Sequence, residues 1–266
     1  MISMNGKTVE IGSFPDGTIL MKPENYNTTM IEWHYENDRE FLALIYLVKH
    51  LRYIGFTKLE LHMPYIPNAR MDRVKSVHKD VFTLKYFAEL LNSLEFDRVV
   101  VRDPHSDVST ALINNVCVTT AKHYVKEAIF RMGEKEGIDI DHMFVYYPDA
   151  GSAKRYSDML QRYYIYGNKR RNWETGEIEG LDIIDNGFDI NGRDILIVDD
   201  ICSRGGTFLH SAKKLKELGA RDIYLYVSHC ENTILEGDLL KGDLIKKVYT
   251  TDSIFTKEHE KIEVLK

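Results

Sequence analysis

The residues best suited to chemistry form one string, Ile195-Leu196-Ile197-Val198-Asp199-Asp200-Ile201-Cys202-Ser203-Arg204-Gly205-Gly206-Thr207. An apolar run of buried-strand type delivers two carboxylates to a rigid strand end. Adjacent carboxylates can accept hydrogen bonds from a cis-diol, such as the 2- and 3-hydroxyls of a ribose. Gly205 and Gly206 let the backbone approach a ligand closely. The loop's N–H groups and the start of the following helix make an anion cradle, to which the hydroxyls of Ser203 and Thr207 can add donors. A diol acceptor beside a phosphate cradle describes a ribose 5-phosphate site. An acid pair or a glycine pair alone would usually mean a capped turn; the complete strand–acid–glycine–helix string is far more specific.

The elements that must position this string alternate between strand and helix. Val9 to Gly12, Ile19 to Met21 and Met30 to His34 read as early strands. Phe41, Leu44, Ile45, Val48 and Leu51 recur at helical spacing within Asp38 to Tyr53. Strands are expected at Lys58 to Met63, Arg98 to Val101, Met143 to Tyr147, Asp194 to Val198 and Asp222 to Val227. Helices are expected at Asp80 to Leu94, with Asp80 as N-cap, at Thr120 to Gly137, and at Gly206 to Gly219, closed by its glycine. Such alternation predicts an α/β architecture with mainly parallel sheets and flanking helices. Asp97 to Asp103 echoes Arg193 to Asp199: charge, apolar strand, then an acid at the carboxyl end, where open α/β sheets bind ligands. Gly167 to Gly180 breaks the rhythm. It is polar and without periodicity, and reads as a long lid-like loop.

Composition narrows the classes. The formal net charge of −6 disfavours nucleic-acid partners, which need a basic excess. The longest apolar run, Phe41 to Val48, is far too short for a membrane span. Met1 to Gly12 lacks the apolar core of a signal peptide. Cys117, Cys202 and Cys230 form no close pair in sequence, which argues against a disulfide scaffold or a zinc site and suits a reducing cytoplasm.

Further segments carry a resemblance that runs through nearly the whole chain. The loop at 199–207 is similar to the ribose-phosphate loop of type I phosphoribosyltransferases and of ribose-phosphate pyrophosphokinases. Pro64-Tyr65-Ile66-Pro67-Asn68-Ala69-Arg70-Met71-Asp72-Arg73 resembles a segment of the pyrophosphokinases that simple phosphoribosyltransferases lack. Val101 to Asp107 (VRDPHSD), Tyr147 to Lys154 (YPDAGSAK), Lys169-Arg170-Arg171 and Phe14-Pro15-Asp16-Gly17 follow that family's order. Each residue alone has a plainer reading: a packed histidine, a helix cap at Asp149, a solvated basic face. It is their joint order that points to the family.

The resemblance implies two tandem type I phosphoribosyltransferase-like domains. Residues 1–124 would form the ATP side, joined by 255–266, and residues 125–254 the ribose-phosphate side. It implies ATP and a ribose 5-phosphate-type acceptor as small-molecule partners, Mg2+ as cofactor, and a homo-oligomer. His105 and Asp149 would hold magnesium, with His105, Lys169 and Arg171 catalytic. Phe14, Asp16, Gly17, Thr18, Arg70 and Met71 would bind ATP, and Asp199, Asp200, Ser203, Arg204, Gly205, Gly206 and Thr207 the acceptor. The implied reaction moves a diphosphoryl group from ATP to the C1 hydroxyl and releases AMP.

The chain departs from the family at Thr18 (usually Glu), at Met71 (usually Gln) and at Ser203-Arg204 (usually Asp-Thr). The last change removes a carboxylate and adds a guanidinium beside the 5-phosphate, which suits a larger, more anionic substituent. Some phage-type relatives make ADP-ribose pyrophosphate for NAD salvage, so ADP-ribose stands beside ribose 5-phosphate as the expected acceptor. A phosphoribosyltransferase and a non-catalytic regulatory subunit are the alternatives.

Overall fold

A computed structural model describes residues 1–23, 28–74, 80–171 and 178–266, with 169–171, 178 and 179 described by backbone alone. The chain divides into two units, Met1–Thr120 and Ala121–Lys266.

In the first unit, β1 (Ile2–Met4), β2 (Lys7–Thr8), β5 (Met30–Trp33), β6 (Glu60–His62), β7 (Arg98–Arg102) and β8 (Val116–Thr119) form one sheet in the order β2-β1-β5-β6-β7-β8. The pairs from β5 to β8 are parallel, and β1 runs antiparallel to both its neighbours. A separate antiparallel hairpin pairs β3 (Ile11–Ser13) with β4 (Ile19–Met21).

Helix α1 (Asp38–Tyr53) is capped by the Asn37 side chain and buries Ala43, Leu44, Leu47, Val48 and Leu51. Phe41 and Ile45 pack at the margin of the same core. Helix α2 (Thr83–Asn92) starts later than the sequence suggested. Its N-cap is Phe82, which makes no side-chain capping bond, so Asp80 does not cap it. A short helix, α3 (Asp107–Leu112), lies between β7 and β8.

In the second unit, helix α4 (Lys122–Glu136) precedes β9 (Phe144–Tyr147), α5 (Ala150–Leu160), β10 (Tyr164–Arg171), β11 (Ile178–Ile184), β12 (Ile195–Cys202), α6 (Gly206–Glu217), β13 (Ile223–Cys230), a 3-10 turn (Asn232–Glu236), β14 (Val248–Thr251) and β15 (Ile262–Leu265). The sheet order is β11-β10-β9-β12-β13-β14-β15, with β10 and β11 antiparallel and every other pair parallel.

Both faces are covered, so β12 and β13 are nearly continuously apolar. Ile195 and Ile197 pack on the α6 side with Phe208, Ala212 and Leu215. Leu196 and Val198 pack on the opposite side with Val125, Ile129 and Tyr156. Two expectations change here. Residues 255–266, expected to rejoin the first half, supply β15 to the second sheet. The stretch Gly167 to Gly180, expected as a long lid-like loop, has its described residues in β10 and β11, an antiparallel pair with Arg170 opposite Gly180, while 172–177 lie outside the described residues. Together the units give the expected α/β fold with mainly parallel sheets.

Candidate functional site

In the second sheet, β9 leads on to β10 on one side, and β12 follows on the other. The boundary between β9 and β12 is therefore a topological switch point, where a crevice opens beyond the carboxyl ends of the strands. The two strands are in direct register, Tyr146 opposite Ile197. Asp149 follows β9, and Asp199 lies near the carboxyl end of β12.

Asp149 caps α5. Its Oδ1 accepts the Ser152 N–H at 3.0 Å, and the Ser152 hydroxyl completes a capping box. The capping role coexists with a position at the switch point. Burial pushes the Tyr146 hydroxyl up to about 12, and the charges of Asp149 and Asp199 push in the same direction, so both acids act on one phenol. That phenol donates to Ser211 on α6 at 3.1 Å.

Strand alternation divides the two adjacent acids. Asp199 continues the row of Ile195 and Ile197 toward α6 and is partly exposed. Its Oδ1 accepts the Asp200 N–H at 3.0 Å. Asp200 continues the opposite row, is only 6 % exposed, and lies 3.6 Å from the Arg155 guanidinium of α5. The side-by-side pair read from sequence is thus one partly exposed carboxylate and one buried, arginine-linked carboxylate.

The loop beyond β12 enters α6 through Gly205, whose φ of +78° is left-handed; the cap carries no side-chain hydrogen bond. The helix N-terminus therefore presents its own N–H groups. A Cβ at Gly205 would stand 2.7 Å from Leu239, so the backbone is held close under that side chain. The Ser203 hydroxyl donates to Glu231 Oε2 at 2.7 Å. A hydroxyl has one proton, so the donor expected from Ser203 is directed at a carboxylate. Arg204 is exposed and its guanidinium bonds Glu236 at 3.0 Å. The loop is consequently less positive than its own residues suggest. Thr207 is half-buried in the first turn of α6.

In the first sheet, the expected residues follow the carboxyl ends of neighbouring strands. The stretch beginning at Pro64 follows β6 and is tied to β7 by the Arg102 N–H to Pro64 carbonyl bond of 3.0 Å. Arg70 is exposed within it, and Met71 is half-buried, its N–H bonded to the Asn68 carbonyl. Asp103 follows β7, buried and left-handed at φ +38°, a sharp turn that leads to the half-buried His105.

Phe14, Asp16, Gly17 and Thr18 lie elsewhere, at the tip of the β3–β4 hairpin. Phe14 is 49 % exposed there. The Thr18 hydroxyl, at 2.7 Å, and then its N–H hold the Asp16 carboxyl below its ordinary range. Lys169 and Arg171 have their backbone in β10, paired with β11, and their side chains lie outside the described residues.

Sequence reasoning missed Tyr146, Arg155, Glu231 and Glu236. Tyr146 read as a core residue, and only the β9–β12 register reveals its neighbours. The two glutamates lie far along the chain from the loop they meet, so no local pattern could have flagged them.

For magnesium, the donors fit in part. Carboxylates such as Asp149 and Asp199 are the hard oxygen ligands Mg2+ prefers, whereas the His105 imidazole is a softer donor. Among the described residues no group of three His, Cys, Asp or Glu side chains is placed to hold a metal. Mg2+ carried on a polyphosphate needs only one or two protein oxygens.

A mainly parallel α/β sheet with acids at its switch point and a glycine-turned helix N-terminus beside them is an arrangement of the phosphoribosyltransferase-like fold class. No protein-family model matches the chain. It is 30 % identical over 241 residues to the ribose-phosphate pyrophosphokinase of Pyrococcus abyssi, covering 86 % of this chain and 79 % of that protein. It is 29 % identical over 228 residues to the one of Thermococcus kodakarensis, covering 83 % and 77 %. The solved phosphoribosylpyrophosphate synthetase of Mycobacterium smegmatis superposes with a TM-score of 0.76 at 18 % identity, over 97 % of this chain and 85 % of that one, a likeness of fold. The chain belongs to the ribose-phosphate pyrophosphokinase family, whose members are ATP-dependent diphosphotransferases.

Proposed function

We propose that this protein transfers the β,γ-diphosphoryl group of ATP to the C1 hydroxyl of a ribose 5-phosphate group. The hydroxyl oxygen attacks the β-phosphorus, the bond from that phosphorus to the α–β bridging oxygen breaks, and AMP leaves as the hydroxyl proton is lost. The observation that carries this reading is the loop from Asp199 to Thr207, which brings a partly exposed carboxylate and a helix N-terminus to one switch point.

Asp199 would accept from the ribose hydroxyls, with Asp200 fixed behind it by Arg155. Backbone N–H groups of Gly205 to Thr207 and the Thr207 hydroxyl would hold the 5-phosphate. Asp149 and His105 would help hold Mg2+, which supplies charge neutralisation on the polyphosphate. Arg70, Met71 and the Phe14 to Thr18 hairpin would bind ATP. Lys169 and Arg171, on the β10–β11 hairpin, would stabilise charge on the transferring group and exclude water.

A homo-oligomer fits the exposed Phe14, since in this family neighbouring subunits complete the adenine site. Three free cysteines suit a reducing cytoplasm. Among the described residues no helix is long and apolar enough to cross a membrane.

Arg204 favours a second acceptor. Its exposed pair with Glu236 is of the kind that contributes ~1 kcal/mol or less, so the guanidinium can turn to a diphosphate ester such as that of ADP-ribose. Incubation with ATP, Mg2+ and each acceptor, with AMP measured, separates the readings. AMP with ribose 5-phosphate supports synthesis of phosphoribosyl pyrophosphate. AMP with ADP-ribose alone supports the variant. No AMP with either rejects the proposal in favour of a phosphoribosyltransferase or a regulatory subunit.

A further inference from the structure

We propose that Glu231 is a positioning residue for the anion-binding loop, returning from the neighbouring strand the carboxylate that the loop lacks at Ser203. Ser203 directly follows β12, and Glu231 directly follows β13. The last residues of those strands, Cys202 and Cys230, are register partners. One further ladder bond, from the Glu231 N–H to the Cys202 carbonyl at 2.8 Å, carries the pairing past the strand ends and sets Glu231 beside the loop. Its Oε2 then accepts from Ser203 Oγ at 2.7 Å and from Thr233 Oγ1 at 3.2 Å. Hydrogen bonds to an ionised group are short and about twice as strong as neutral ones.

The rest of the segment continues the grip. Glu236 bonds Arg204, Gly237 lies against the Arg204 carbonyl, and Leu239 covers Gly205. Both loop residues that differ from the usual Asp-Thr of the family are therefore met by acids from a single segment, 231–236. A carboxylate so near an anion cradle repels a phosphate and does not bind it. Its contribution is to fix the loop, and through the loop the helix N-terminus that binds.

The test uses the full chain as wild type, Glu231→Ala, Ser203→Asp and the double variant. The kinetic arm rests on the proposed function. The second arm, amide hydrogen exchange across 202–209 and 231–237 without ligands, does not. Glu231→Ala is expected to raise the KM for the acceptor by about tenfold or more, with the KM for ATP and kcat changed by less than about threefold. Ser203→Asp is expected to be impaired too, because two carboxylates then face each other. The double variant, with one acid back in place, is expected to recover to within about threefold of wild type.

Exchange in both segments is expected to speed up in Glu231→Ala by about tenfold and to recover in the double variant. An acceptor KM within about twofold of wild type, or a double variant worse than either single one, overturns the proposal. If the wild type releases no AMP with either acceptor, the functional reading falls, and unchanged exchange in Glu231→Ala still refutes the clamp. Should Glu231→Ala fail to fold, Ser203→Ala removes the same bond from the other side and is expected to give the same rise in KM.

Discussion

Replacing Gly237 by Ala should disturb the proposed acceptor site without removing any side chain assigned to bind there. The φ of Gly237 is −85° with ψ −179°, a conformation open to any residue, so the effect is one of space alone. An added Cβ would lie 2.0 Å from the Arg204 carbonyl oxygen, 2.9 Å from its carbonyl carbon and 3.2 Å from its Cα. Real Cβ contacts essentially never fall under 3.0 Å, so a gap of about 1 Å must open against main chain, which cannot rotate away as a side chain can. Overpacking of this kind costs about 1–3 kcal/mol. If the loop yields, its N–H groups move by a similar distance, and a misplacement of about 1 Å at a binding site can cost ~100-fold in rate.

The assay is AMP release at varied acceptor and at varied ATP, alongside urea denaturation. We expect a fall in kcat/KM for the acceptor of roughly 10- to 100-fold, the KM for ATP unchanged, and a stability loss of ~1–3 kcal/mol. Gly242→Ala is the control, because a Cβ there meets nothing within 4 Å and the residue lies outside the loop. Wild-type acceptor kinetics in Gly237→Ala, or an equal loss in Gly242→Ala, would overturn this account of the loop.

Three more predictions follow from single side chains. Asp149→Asn should keep the α5 cap, since Asn caps as well as Asp, with stability changed by less than ~0.5 kcal/mol, yet lower turnover at limiting Mg2+ by at least about tenfold; Asp149→Ala should add a stability loss of ~1 kcal/mol by urea denaturation. Lys169→Ala should lower kcat by about 100-fold with acceptor and ATP KM values little changed, and unchanged turnover would remove this lysine from the mechanism. Burial alone would raise the Glu263 carboxyl, but bonds from Lys135 at 2.7 Å and Arg131 at 2.6 Å outweigh it and hold the group below the ordinary carboxylate range. A depressed carboxyl stabilises the fold above its unfolded value and loses that contribution as the pH falls through the folded one. Glu263→Gln should therefore cost ~1 kcal/mol at pH 7 and progressively less on acidification below about pH 4.5, as read by urea denaturation across that range.

The legible part of this protein was local. The run Ile195 to Val198 announced a doubly covered strand, and Gly205 marked the left-handed entry to α6. Pro148-Asp149 announced a possible cap, and the structure supplies it. The echo between Asp97 to Asp103 and Arg193 to Asp199 held at the level of strand type and then failed in detail. Asp103 ends its strand in a buried left-handed turn, whereas Asp199 stays within a longer strand and is partly exposed.

The division of Asp199 from Asp200 was implicit in strand alternation but hidden, because the sequence does not say how far the strand runs. Short strands such as β8 and β14 carry too few residues to show a period, and are defined by their parallel pairing, β8 with β7 and β14 with β13 and β15. The partners of Ser203 and Arg204 were illegible for the same reason. They are set by the β12–β13 ladder, a non-local pairing.

That ladder also decides what can be exchanged between relatives. The loop at 199–207 looks like a portable cassette, yet it is moulded against 231–239, a segment anchored to the next strand. Transplanting a relative's loop alone would set an incoming acid against Glu231 and leave Glu236 without its arginine. On the proposed function, the module for acceptor choice would be the whole span from Asp199 to Leu239, and substitutions at its two ends should be found travelling together.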